Sequence, residues 1–371
     1  MKSLNLLSCP NCFGNISLNN YSRKIFCEIC NKNFESTLGI LDFRNFETDF
    51  SANFSCESDL NLAKKLEDYF DSTNNFHELY YIYSKLKTIQ LSNPQFLHID
   101  FFQILTEAKN CNHIGLSVNE LTHGSAILDK VNLELSRLRK DNLPTSGIAL
   151  ENGCGIGYFI PGFSKYFKEV IVLDFSLSYL ILAKKIAEEQ KLCNITFICA
   201  NAENLPIKDS TIDFIHSNNV VEHITAPINM IKHAERTLKD GALLYIQSPN
   251  KNTIYIEPHF NLPCYGFIPY KIRKFIILRT QNRDPNTVSL LTLSQLKKLI
   301  KLSFNENFEV SFIPRHLKNS ISGGAIRKVI VGLLNTPILG IAINLLLNKL
   351  LLAVMPYHVA LCFKKAKRLI P

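Results

Sequence analysis

The chain is short of the features that mark fibrous, disordered or disulfide-stapled proteins. Its 15 glycines and 15 prolines among 371 residues are too few for a collagen-like or low-complexity chain. With 46% hydrophobic and only 20% charged residues it has the composition of a folded chain with a sizeable core. Tryptophan is absent. Cysteine is plentiful, yet its arrangement lacks what a disulfide framework needs: the count of 11 is odd, and seven lie scattered outside one N-terminal cluster. A reducing compartment fits this usage. The opening MKSLNLLSCP has one lysine and too short an apolar run for a signal peptide, so a cytoplasmic chain is expected.

Acidic residues are missing from one region in particular. Residues 271–371 hold 17 Lys/Arg against Asp284, Glu306 and Glu309, a local net charge of +14, which leaves residues 1–270 at −5 within the overall +9. An excess of this kind points to nucleic acid or a membrane surface, and here it belongs to the C-terminal quarter alone. The same quarter contains Val329 to Asn348, 20 residues without a charge, which approaches transmembrane length.

Three textures divide the chain into expected units of 1–45, 46–141 and 142–371. The first holds two C-x2-C pairs, Cys9/Cys12 and Cys27/Cys30, separated by 14 residues. Each such knuckle turns two sulfurs toward one point, so the four thiolates can surround a structural Zn²⁺, whose bonds would supply folding energy that a unit this small lacks. Free or redox-active cysteines are the alternative. The second stretch is helical in pattern, with breaks at Asn93-Pro94 and His123-Gly124. From Gly147 short β-type runs (GIALEN, VIVLD, ITFICA, IDFIHS, ALLYIQS) alternate with helical ones, which argues βαβ units and a parallel sheet.

After the strand IALE come Asn152-Gly153-Cys154-Gly155-Ile156-Gly157 and then a helix. Glycines at a strand-to-helix turn let the backbone approach a ligand where a Cβ would clash. The loop lacks the third glycine position of the dinucleotide fingerprint, and no phosphate loop with Gly-Lys-Ser/Thr is present. Asp174 ends the next strand 21 residues after Gly153, where a carboxylate can accept from both ribose hydroxyls.

These residues resemble the motifs of the class I S-adenosylmethionine (SAM)-dependent methyltransferases, collinearly from about 147 to 250. The resemblance implies a Rossmann-like α/β fold: a seven-stranded, mostly parallel sheet with an antiparallel last strand, here joined to the N-terminal zinc ribbon and the helical segment. It implies SAM as cofactor, with Glu151, Gly153, Cys154, Gly155 and Gly157 in the loop and Asp174 on the ribose. Asn201 and Ala202 fall at the adenine, Asn201 standing where the family has Asp; Asn218, Asn219, Glu222 and His223 fall in the loop over the cofactor. Methyl transfer to a neutral oxygen needs a base, for which His223 and His259 are the candidates; each also reads as a structural histidine.

The Cys₄ segment resembles the zinc-ribbon activators of tRNA and protein methyltransferases. The stretch after the fifth strand, with Pro258-His259-Phe260 and Ile268-Pro269-Tyr270, resembles methyltransferases of bacterial surface polysaccharides and lipid-linked glycans. Together these imply an oxygen acceptor on a glycan, lipid-linked sugar or quinone-like lipid. YHVALCFKK resembles the family's last strand, which must return to the sheet. An apolar insertion at about 320–355, carrying the polar pair Asn344 and Asn348, therefore reads as an interfacial helix or lid near anionic lipid, or as an ordinary buried helix pair, in preference to a span. Bacterial rRNA guanine methyltransferases also join a zinc ribbon to this fold, which keeps RNA as an alternative acceptor and nucleic acid as an alternative partner. A SAM-binding regulatory or scaffold module is the non-enzymatic reading.

Overall fold

The computed structural model describes residues 4–18, 24–45, 56–92, 101–110, 123–281, 284–304, 308–313 and 353–365. Most of the apolar insertion expected at about 320–355 therefore lies outside the described residues.

The alternating segments after Gly147 form β5 (Ile148–Asn152), α5 (Ile160–Tyr166), β6 (Glu169–Asp174), α6 (Leu177–Glu189), β7 (Ile195–Cys199), β8 (Ile212–Asn218), α7 (Pro227–Thr237) and β9 (Leu238–Pro249). Two late strands, β12 (Phe308–Phe312) and β13 (Tyr357–Lys364), complete a sheet whose order here is β7-β6-β5-β8-β9-β13-β12. β5 to β9 run parallel, and β13 is antiparallel to β9. The order reverses between β6-β5 and β5-β8, and at such a switch point the strand ends open a crevice for a ligand.

Among the described residues the expected seven strands are present, but the sheet continues to eleven. β1 (Ile16–Leu18), β2 (Ile25–Cys27), β3 (Asn33–Thr37) and β4 (Ile40–Asp42) form an antiparallel series, and β4 pairs in parallel with β7 through Leu41↔Ile198 and Asp42↔Cys199. The free edge of β7 presents unpaired backbone groups, and the ribbon satisfies them. The cysteine-bearing unit is thus continuous with the sheet.

Side chains alternate across the strands, so the sheet is buried on both faces. Ala149, Val170, Val172 and Phe214 join one apolar cluster with α5, α6 and the helices α1 (Cys56–Phe70), α2 (Phe76–Ser92), α3 (Phe101–Asn110) and α4 (His123–Arg137). Leu150, Ile171, Leu173 and Ile215 face a second cluster with α7, α9 (Leu293–Phe304) and ribbon residues Leu7, Phe34 and Phe43. The breaks at Asn93-Pro94 and His123-Gly124 correspond to the end of α2 and the start of α4. After β9, the short hairpin β10 (Ile256–Glu257) and β11 (Leu262–Pro263) precedes α8 (Tyr270–Gln281), outside the main sheet. Among the described residues no helix is long and apolar enough to cross a membrane.

Candidate active site

Gly153, Gly155 and Gly157 all adopt positive φ (84°, 52° and 97°), the region that a side chain disfavours. A Cβ on Gly153 would fall 2.3 Å from Val220 Cγ2, whereas one on Gly155 would meet nothing within 4 Å. Gly153 is therefore required by packing, and Gly155 leaves a cradle that a ligand can enter. The Gly155 N–H donates to Asp174 Oδ2 (2.8 Å) and the Ser176 N–H to Oδ1 (2.9 Å), so the loop and the β6–α6 turn share one carboxylate. Burial raises the Asp174 pKa to about 6, against the pull of these backbone donors.

A cavity of ≈ 490 Å³ lies over these strand ends, and Gly153, Cys154, Gly155, Asp174, Asn201, Ala202, Asn218, Asn219 and His223 all line it. Its size falls in the ~300–1,000 Å³ range of small-molecule sites. The cradle, the shared carboxylate and the cavity fit SAM. Asn218 Oδ1 is buried on the wall without a hydrogen-bond partner among the described residues, and Asn201 Oδ1 accepts from the Glu203 N–H at 2.9 Å.

Two loop residues are placed elsewhere: Gly157 packs on α6, where a Cβ would fall 2.9 Å from Ala183 Cβ, and Glu151 lies behind the loop. Glu151 does not line the cavity; its buried carboxylate meets His216 Nδ1 at 2.8 Å behind the loop, among Phe159, Phe163 and Tyr245. A strand side chain alternates away from the crevice at this position, and His216 on the neighbouring β8 captures it. The walls also include Tyr158, Phe175, Tyr179, Glu203 and Thr225, which no motif marks.

The two candidate bases come together. His223 ends a short 3₁₀ turn, Val221–His223, and its ring centroid lies 5.2 Å from that of His259 at the tip of the β10–β11 hairpin. Glu257 builds that tip: Oε2 accepts from the His259 and Phe260 N–H groups (3.0 and 2.8 Å), and Oε1 meets His259 Nδ1 at 2.7 Å. The remaining ring nitrogen, Nε2, lies 3.9 Å from Oε1 of Glu222. Glu222, expected in the loop over the cofactor, is 1% exposed. Its Oε2 accepts from Ser248 Oγ (3.2 Å), and burial pushes its carboxyl up to about 7. His223 is lowered to about 4, by desolvation first and by His259 second.

The four N-terminal sulfurs also converge. Cys9 Sγ lies 3.6 Å from Cys30 Sγ and Cys12 Sγ 3.4 Å from Cys27 Sγ, and all four fall within 4.8 Å of one another. Sulfurs bound tetrahedrally at about 2.3 Å stand about 3.8 Å apart, so the donor set fits a closed zinc site.

Residues 150–246 match the family model described as a methyltransferase domain. A bifunctional biotin biosynthesis protein of Cellvibrio japonicus is 26% identical over 196 residues, 49% of this chain and 36% of the relative. A ubiquinone biosynthesis O-methyltransferase of Coxiella burnetii is 33% identical over 103 residues, 28% of this chain and 44% of the relative. The chain thus spans less than half the length of either. An uncharacterized protein of Methanocaldococcus jannaschii is 34% identical over 168 residues, 45% of this chain and 67% of that protein. The matched stretch of the family model holds the loop, Asp174, Asn201 and the β8 end that wall the cavity, so residues 150–246 carry a methyltransferase domain.

Proposed function

We propose that this chain transfers a methyl group from SAM to an oxygen of a lipid-like or glycan acceptor at an anionic membrane surface, with a structural zinc in its ribbon. The observation that carries this reading is one juxtaposition: the cavity walled by Gly155 and Asp174 is bordered at His223 by the Glu222–His223–His259 group. SAM, when bound, supplies a methyl carbon whose bond to sulfur breaks, with the electron pair staying on sulfur, as the acceptor oxygen bonds that carbon. Asp174 would accept from the ribose hydroxyls, and Asn201 and Ala202, which line the same cavity, would hold the adenine. The acceptor hydroxyl lies against the histidine pair and loses its proton toward that face, where Glu257 fixes the His259 ring. Cys9, Cys12, Cys27 and Cys30 hold zinc away from the reaction.

Two features support the acceptor class. The Coxiella relative is named as an O-methyltransferase of ubiquinone biosynthesis, a lipid-like oxygen acceptor. Beside the His259 hairpin, α8 exposes Ile272, Phe275 and Leu278 (54%, 67% and 45%) among Lys271, Lys274 and Arg279. Apolar side chains interleaved with basic ones suit the interface of an anionic bilayer.

Labelled methyl transfer from SAM into fractionated cell lipid, polysaccharide and RNA tests the proposal. Label in lipid or glycan is expected. Label in RNA alone would overturn the acceptor class, and none in any fraction would overturn the transferase reading.

A further inference from the structure

Beside the cofactor cavity, Glu222, His223 and His259 each offer one ligand atom within 4.8 Å of the other two. From this cluster we infer a second metal site, for a divalent first-row transition ion held by one carboxylate and two imidazoles. The inference rests on the methyltransferase reading and deepens it, because the ion would sit where the acceptor oxygen arrives.

Three observations point to a ligand here. Glu222 Oε1 is buried with no hydrogen-bond partner among the described residues, although its sister oxygen accepts from Ser248. A buried carboxylate oxygen left bare is costly, and it lies only 3.9 Å from His259 Nε2. The second observation is the orientation of His259: Glu257 Oε1 engages Nδ1 at 2.7 Å, which turns Nε2 toward Glu222. A carboxylate behind a metal-binding imidazole fixes its tautomer and raises its basicity in this same way. The third is the donor set. Two His and one Glu are a common catalytic ligand group that leaves a coordination position open, and His223 borders the cavity from which an acceptor oxygen could fill it.

The soft, four-thiolate ribbon and this harder oxygen–nitrogen cluster differ in preference, so Mn²⁺ separates them. An ion here would polarise the acceptor hydroxyl and ease loss of its proton. Without one, the histidine pair would have to take that proton unaided.

The test titrates Mn²⁺ into the full chain with its ribbon zinc retained, following loss of the free-ion electron paramagnetic resonance signal. SAM affinity by calorimetry is measured alongside as the control for folding. One Mn²⁺ per chain is expected; His259→Ala and Glu222→Gln should each weaken it by about 100-fold or more, and Glu257→Gln by about 10- to 100-fold. SAM binding should persist in His259→Ala, whose ring is partly exposed, so that variant decides if Glu222→Gln fails to fold. A wild-type chain that binds SAM but not Mn²⁺ would overturn the metal site and leave the transferase reading standing. Mn²⁺ binding unchanged in His259→Ala would overturn it as well. Absence of SAM binding, with Mn²⁺ held at the cluster, would instead overturn the transferase reading alone.

Discussion

Arg44 donates to Asp59 at 3.0 Å where neither side chain reaches solvent, their exposures being 0% and 3%. Arg44 follows the last ribbon strand and also pairs with Asp42 at 2.6 Å, while its Nη1 reaches the Phe175 carbonyl. Asp59, from α1, accepts from Ser176 Oγ (2.7 Å) and the Leu177 N–H (2.8 Å) at the start of α6. Ribbon, helical segment and the turn after Asp174 are therefore tied at one buried point.

Removing Asp59 leaves the Arg44 charge with one partner fewer and takes the acceptor from the Leu177 N–H in the first turn of α6, whose N-cap is Ser176. Asp59→Ala is expected to cost about 3–5 kcal/mol of stability, seen as a lowered midpoint of thermal unfolding. Because the same turn carries the Ser176 N–H that orients Asp174, SAM affinity should fall as well, although Asp59 does not line the cavity.

If Asp174 holds the ribose as proposed, cofactor binding depends on pH. The ribose hydroxyls would donate to the carboxylate, so binding would require the ionised form, and burial raises the Asp174 pKa to about 6. SAM affinity should be level above pH 7 and about tenfold weaker at pH 5, where one group in about ten is ionised. Calorimetry across this range checks the slope. Asp174→Asn should bind weakly at every pH and show no slope.

If the ribbon holds zinc, the metal is part of the fold, because β4 continues the sheet beside β7. One zinc per chain is expected by elemental analysis. Cys27→Ser should lower zinc content and the unfolding midpoint together. Full zinc occupancy in that variant would remove the four cysteines from the account.

The basic face of α8 should carry the membrane attachment. Sedimentation with anionic vesicles is expected to recover the protein, and neutral vesicles should recover little; Lys271→Glu with Lys274→Glu should abolish the difference. Equal recovery with both vesicle types would contradict it.

Much of the cavity's lining was legible because its signals are local. The glycine loop and Asp174 follow from strand-to-helix turns only 21 residues apart, and a positive φ at Gly153 is the requirement that the motif encodes. The βαβ alternation likewise announced β5 to β9. What stayed hidden depends on residues far apart in the chain. Asp59 meets Ser176 across 117 positions, and Glu151 looks like a loop ligand until His216, 65 positions on, takes its carboxylate. The extra strands were concealed for a similar reason, since nothing within residues 16–42 reveals that β4 will find the free edge of β7. The histidines stood out by type, but Glu222 needed its burial to be seen as more than a loop residue.

The proposed methyl transfer requires SAM in the cavity over Asp174, and isothermal titration of SAM into the wild-type chain and Asp174→Ala tests that most directly. One site per chain is predicted, weakened in the variant by about 1.5–3 kcal/mol, the value of hydrogen bonds to a charged group. No heat of binding in the wild type, or equal affinity in the two proteins, would contradict it.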